Sequence, residues 1–143
     1  MATIELQNAN VFQGKHLVLT DVSFKINTGE FVYLIGQTGS GKSSLLKTLY
    51  GDLPLEQGTG TVAGHALNGL KSKDIPALRR DIGIVFQDFQ LLSDRSVESN
   101  LDFVLRATGW KNKEDRSKRI VEVVSLVVMQ NKKHKSTFEI SVG

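Results

Sequence analysis

Cysteine is absent from the 143 residues. That excludes disulfide cross-links and thiolate-held metals, and it suits a reducing compartment. Proline occurs only at Pro54 and Pro76, so regular elements meet few built-in breaks. No apolar run approaches the roughly 20 residues that a membrane-spanning helix needs. The longest, Ile120–Met129, is interrupted by Glu122 and Ser125. The opening MATIELQNANVF has neither a basic start nor an apolar signal core. Charge of one sign is also scarce: the net charge is +3, gathered partly at Lys111–Lys113 and Lys132–Lys135. A nucleic-acid binder concentrates far more positive charge on one face, so no nucleic-acid partner is expected. The basic run Lys132–Lys135 reads as a solvated loop.

What remains is a chain that is 40% hydrophobic, enough for one ordinary core. Ile4 and Leu6, and then Val22, Phe24 and Ile26, alternate with polar neighbours and predict half-buried strands, and Thr28-Gly29 offers a turn after the latter. Phe31-Val32-Tyr33-Leu34-Ile35 and Ile82–Phe86 read as buried-type strands, the kind covered on both faces in a parallel α/β sheet. Leu45, Leu46 and Leu49 share one face of a helix that starts near Lys42 and stops at Gly51. A weak strand near Thr61–Ala66 and a short helix from Asp74 to Arg80, with Pro76 in its first turn, follow. The last third is helical. Ser96 caps a helix carrying Val97, Leu101, Val104 and Leu105, and Gly109 ends it. A second helix starts near Asn112, with Ile120, Val123, Val124 and Val127 in one stripe. The reading divides the chain into a core with a β-lobe, 1–90, and a helical lobe, 91–143, with the boundary near Gln87–Leu92.

Between the apolar run 31–35 and the helix lies Gly36-Gln37-Thr38-Gly39-Ser40-Gly41-Lys42-Ser43. It satisfies G-x-x-x-x-G-K-[ST] in the required setting, strand before and helix after. Its glycines let successive backbone N–H groups converge on phosphate oxygens. The helix start directs its positive end at the same anion. Lys42 is expected to reach the β- and γ-phosphates and Ser43 to ligate Mg²⁺. The plain alternative is a glycine-rich turn that binds nothing, and the completeness of the motif argues against it.

Beyond that loop, the order of motifs resembles the ATP-binding-cassette (ABC) ATPase family along the whole chain. LVLTDVSFKINTGEFVYLIG resembles the family's lead-in, IGIVFQDFQLLSDRSVESNL its glutamine-loop region, and FEISVG the start of its signature motif. The resemblance implies an α/β P-loop NTPase core with an N-terminal antiparallel β-lobe and a truncated helical lobe. It implies ATP and Mg²⁺ as ligands. It places Phe12 against adenine and Val18, Gly36, Gln37, Thr38, Gly39, Ser40, Gly41, Lys42, Ser43 and Ser44 around the nucleotide. Lys42 and Gln87 become catalytic residues, and Ser43 and Gln87 metal ligands. Ser141 and Gly143 would meet the nucleotide of a second subunit packed head to tail. Phe12 has core packing as its ordinary alternative, and Gln87 a polar strand end.

Within the family, FQDFQLLSDRSV resembles the FtsE-type cell-division branch. That implies a cytoplasmic ATPase held at the inner face of the membrane by an integral FtsX-type subunit, with Asp88–Leu92 facing that partner. Lipoprotein-release and drug or peptide exporters are alternatives, as is a nucleotide-binding module without turnover. Two departures stand out. Val142 occupies a position usually held by glycine, and the family's Walker B aspartate, catalytic glutamate and switch histidine have no counterparts here. Residues 1–143 alone are therefore expected not to hydrolyse ATP. His16, His65 and His134 fall in no motif and show no metal-ligand spacing.

Overall fold

The computed structural model describes residues 1–88 and 90–127. They fall into two compact units, Met1–Ile84 and a second that begins at Val85.

The first unit is built on four strands, β1 (Ala2–Gln13), β2 (His16–Asn27), β3 (Gln57–Val62) and β4 (His65–Ala66). They lie in the order β2-β1-β3-β4, with every pairing antiparallel. The inward side of β1 changes parity. Leu6 is buried from an even position, but Ala9 and Val11 are buried from odd ones. Strict alternation cannot do this, and an extra residue is needed between them. The pairing with β2 shifts register between Leu6 and Ala9, with Asn8 at φ 48° and Asp21, on the facing strand, at φ 52°. Side chains replace the missing ladder bonds. Ser23 Oγ accepts from Asn8 N–H at 2.8 Å, Asn8 Nδ2 donates to Asp21 Oδ1 at 2.8 Å, and Asp21 N–H donates to Asn10 Oδ1 at 2.8 Å.

Two helices complete this unit: α1 (Lys42–Leu49) and the short α2 (Ile75–Arg80), with Pro76 in its first turn. Leu45 of α1 and Leu78 of α2 join Leu6, Ala9, Val11, Leu55, Val62 and Leu67 in one buried cluster. Gly60 is required by space. A Cβ there would sit 2.5 Å from Leu6 Cδ2 and 3.0 Å from Leu55 Cδ2. The turn after β2 is closed by Glu30, which accepts from Asn27 N–H at 2.7 Å. That bond, the largest cause, holds its carboxyl below the usual glutamate range.

Two expected strands are not formed. Residues 31–35 and 82–86 belong to no sheet. Phe31, Tyr33 and Ile35 are 82%, 78% and 88% exposed, and Val85 is exposed as well. A strand exists only through a neighbour's hydrogen bonds, and among the described residues none pairs with either run. Apolar composition announced the burial these runs require, not the presence of what buries them.

The second unit contains α3 (Val97–Ala107) and α4 (Lys113–Leu126). Both begin as their capping residues dictate: Ser96 Oγ accepts from Ser99 N–H, and Asn112 Oδ1 from the N–H groups of Glu114 and Asp115. Ile120 and Val124 are buried, whereas Val104 and Val127 of the expected stripes are exposed. Polar groups hold much of this unit together. Arg116, only 8% exposed, donates from Nε to Asp102 Oδ1 at 2.7 Å and from Nη1 to the Trp110 and Lys111 carbonyls.

Candidate functional site

The loop 36–41 and the start of α1 form the centre of the candidate site. The loop turns through positive φ at Gly39 (80°) and Gly41 (101°), angles that side-chain-bearing residues rarely adopt. Gly41 is also the N-cap of α1, and it supplies no side-chain cap to the helix. No acidic residue lies in the first turn. The first N–H groups of α1 therefore meet no side-chain acceptor and no competing negative charge, the condition under which a helix start takes an external anion.

Lys42 is folded back over the loop. Its Nζ donates to Gly36 O at 2.5 Å, Gln37 O at 2.7 Å and Ser40 Oγ at 3.3 Å. A single ammonium thus ties together both ends of the loop and keeps a positive charge against it. Gly36 leaves room for this closure. A Cβ there would approach Ser40 Oγ to 2.7 Å. Thr38, like the rest of 36–40, is exposed. Ser43 is exposed and Ser44 is buried. The Ser43 hydroxyl is thus open to a ligand or metal, while Ser44 sits in the packed side of the turn, its carbonyl accepting from Thr48 Oγ1 at 2.9 Å.

The β1–β2 hairpin supports this loop from below. Val18 Cγ1 and Leu19 Cγ would lie 2.8 and 2.9 Å from a Cβ on Gly41. Phe12 is half-buried near the tip of the same hairpin, paired with Leu17, the neighbour of Val18. The hairpin therefore brings Phe12 and Val18 to the end of the sheet where the loop begins its helix. The composition of β2 gave no sign of the Val18–Gly41 contact, which depends on hairpin register. A small residue at the last loop position was the only available signal.

Gln87 belongs to the second unit, exposed in a turn formed with Asp88. Its continuation is fixed by a residue that the sequence did not single out. Buried Asn100 accepts from Leu92 N–H at 2.8 Å and donates to the Leu92 and Ser96 carbonyls, both at 3.0 Å. The segment 92–96 is thereby pinned to α3. Ser141, Val142 and Gly143 lie outside the described residues, as do His134 and the run Lys132–Lys135. His65 bonds Asp81 Oδ2 at 2.7 Å, and no group of three His, Cys, Asp or Glu that could hold a metal occurs among the described residues. A cavity of about 430 Å³ opens between α3 and α4, lined by Arg95, Glu98, Asp102, Arg106, Lys113 and neighbours. It is lined by none of the expected nucleotide residues.

Known proteins resemble this chain in sequence and in fold. The chain is 34% identical to the cell division ATP-binding protein FtsE of Streptococcus pneumoniae over all of its own length and 62% of the relative's. It is 37% identical to FtsE of Bacillus subtilis, over 87% of this chain and 54% of that protein. It is also 34% identical to the methionine import ATP-binding protein MetN of Clostridioides difficile, over 98% of this chain and 43% of the relative. The chain thus spans under two thirds of the length of these relatives. Among solved structures, the dimeric post-hydrolysis state of the ATP-binding cassette MJ0796 bound to ADP and Pi superposes with a TM-score of 0.80. The identity is 27%, covering 96% of this chain and 63% of that one. CbiO1 of Clostridium perfringens, described as part of the ABC transporter complex cbiONQ, superposes with a TM-score of 0.81 at 28% identity, over 98% and 56% of the two chains. The fold is accordingly that of the ABC ATPases. With residues 19–143 matching the family described as ABC transporter, the chain belongs to that family.

Proposed function

We propose that this chain forms the nucleotide-binding part of an ATP-hydrolysing subunit that drives a membrane partner. The observation that carries the reading is the uncapped start of α1 beneath the Lys42 ammonium. Backbone N–H groups at the helix start and one positive charge over the loop suit a phosphate group. Lys42 and the loop amides hold the β- and γ-phosphates, and Phe12 and Val18 lie against the base and sugar. Ser40 releases Lys42 when phosphate oxygens replace it as acceptor. Mg²⁺ fits the donor set. It keeps several waters, takes phosphate oxygens, and asks only one or two hard oxygen ligands of the protein. The exposed Ser43 hydroxyl is one such ligand, and the family resemblance, not a geometry between the two units, assigns Gln87 as a second. When bound, the ion offsets phosphate charge. Gln87 orients the attacking water, and Ser141 and Gly143 close on the nucleotide of a second subunit packed head to tail.

Substituting Lys42→Ala tests the site. Titration with a fluorescent ATP analogue is expected to show affinity lowered at least tenfold, with the circular dichroism spectrum unchanged. An unaltered dissociation constant would remove the phosphate-loop assignment.

The finer assignment is to the cell-division branch. Its FtsE relatives reach 34% to 38% identity, and FQDFQLLSDRSV carries the resemblance. In that reading Asp88–Leu92 faces an FtsX-type membrane subunit at the inner side of the cell membrane. Methionine import is the competing assignment, with MetN relatives at 32% to 35%. Co-purification of the whole protein with each kind of membrane subunit separates the two.

A further inference from the structure

We infer that Asn68 is a site of spontaneous covalent modification, deamidation to aspartate or isoaspartate, gated by the bonding of its side chain to β3. The chain holds a single Asn-Gly pair, Asn68-Gly69. The chemistry needs only these two residues and water. The Gly69 backbone nitrogen attacks the Asn68 carboxamide carbon and a C–N bond forms. The side-chain nitrogen then leaves as ammonia, taking the Gly69 amide proton. Water opens the resulting five-membered succinimide at either carbonyl, giving aspartate or, with the main chain rerouted through the side chain, isoaspartate. One water is consumed and one ammonia released, with no oxidant or reductant. Glycine favours the first step because no Cβ shields its nitrogen. Both residues are exposed, and nothing lies within 4 Å of a Cβ position at Gly69.

The fold holds this reaction back and is damaged by it. The registered pairing of β4 with β3 ends at Ala66, opposite Thr61. Beyond it, the Asn68 carboxamide stands in for a strand. Its Oδ1 accepts from Gly60 N–H at 3.0 Å, and its Nδ2 donates to Gly58 O at 2.5 Å. Those two partners fix the amide's orientation, because only Oδ1 can accept and only Nδ2 can donate. Leu70 N–H donates to Leu67 O at 3.3 Å and closes the turn around the pair, with Gly69 at φ 67°. Ring closure requires the carboxamide to leave β3, so it proceeds from locally opened molecules. Aspartate cannot resume the vacated place. A carboxylate only accepts, so the Gly58 carbonyl loses this donor and faces a negative oxygen instead. Isoaspartate lengthens the main chain by a methylene between two anchored leucines. Leu67 belongs to the buried cluster, and Leu70 Cδ2 lies 3.3 Å from a Cβ position on Gly51, just beyond α1. Either product thus loosens β3 and the packing beside it. No residue of the phosphate loop takes part, so the inference does not depend on nucleotide binding.

Peptide mapping by mass spectrometry, with aspartate and isoaspartate separated, tests this on the chain aged at mildly alkaline pH with and without urea. Asn68 is expected to convert ahead of every other asparagine in both conditions, and about tenfold or more slowly when folded, because the chemistry waits for local opening. Gly69→Ala, whose Cβ meets no neighbour, keeps both side-chain bonds but strongly slows conversion in urea. Asn68→Asp, the mimic of one product, unfolds at lower urea than the parent. Equal rates with and without urea, an Asn68 still intact in the folded chain after prolonged ageing, earlier conversion at another asparagine, or an Asn68→Asp variant with an unchanged urea midpoint would each overturn the inference.

Discussion

Replacing Gly41 by alanine perturbs the point where the sheet supports the phosphate loop, and the structure sets the size of the effect. Gly41 has φ 101°, so any side chain there starts with left-handed strain of about 1–2 kcal/mol. The new Cβ would also lie 2.8 Å from Val18 Cγ1 and 2.9 Å from Leu19 Cγ. Neither atom is the free end of a flexible chain, so β2 or the loop must move, at the overpacking cost of about 1–3 kcal/mol. The total, about 2–5 kcal/mol, is a large part of the ~5–15 kcal/mol of a typical domain. Gly39→Ala is the control. Its φ of 80° carries similar strain, but nothing lies within 4 Å of the Cβ position. Urea unfolding followed by circular dichroism is expected to place Gly41→Ala about 1–3 kcal/mol below Gly39→Ala. Trimming Val18 to alanine in the Gly41→Ala background recovers part of that difference as a coupling energy, about 0.5–3 kcal/mol. Equal midpoints for the two glycine variants, or no coupling with Val18, would refute the argument that hairpin packing sets the loop.

Phe12→Ala is expected to weaken ATP binding by about 1–3 kcal/mol if its ring stacks on the base, while leaving inorganic triphosphate binding unchanged. Equal losses in parallel titrations would make the residue structural. In the whole protein, Gln87→Ala should depress ATP turnover more than ATP binding, because its contacts matter most as the γ-phosphate departs. Measured together, a loss confined to binding would count against that role. Asp102 gives an acid limb. Its hydrogen bond from Arg116, then the Arg116 and Arg106 charges, hold its carboxyl below the usual aspartate range. The stability it contributes is present above the unfolded value near 4 and is lost as pH falls through the lower folded one. The fluorescence of Trp110, whose carbonyl accepts from Arg116, should report that loosening in wild type, with the acid limb absent in Asp102→Asn. A limb that persists in the variant would place the titrating group elsewhere.

Much of the local structure follows from sequence because it is governed by near neighbours. Ser96 and Asn112 start their helices by accepting N–H bonds two or three residues away, and Gly109 adopts φ 101° just beyond α3. The phosphate loop belongs to the same class. Its glycines, Lys42 and the helix start lie within eight residues, so spacing alone marks the segment as a candidate anion cradle.

Where partners are distant, composition was silent. The parity change between Leu6 and Ala9 became intelligible only through the bulge and the Asn8–Asp21 bond across strands. Asn100 and Arg116 looked like ordinary polar residues of helices, yet each is buried, Asn100 accepting from Leu92 N–H and donating to the Leu92 carbonyl, and Arg116 donating to Asp102 and to the Lys111 carbonyl. Phe31–Ile35 shows the limit most clearly. Its five apolar residues declare that a strand belongs there, but strand formation is a property of a pair. Side-chain chemistry is written in one segment, whereas hydrogen-bond ladders and packing need a second segment that only the tertiary structure can supply or withhold.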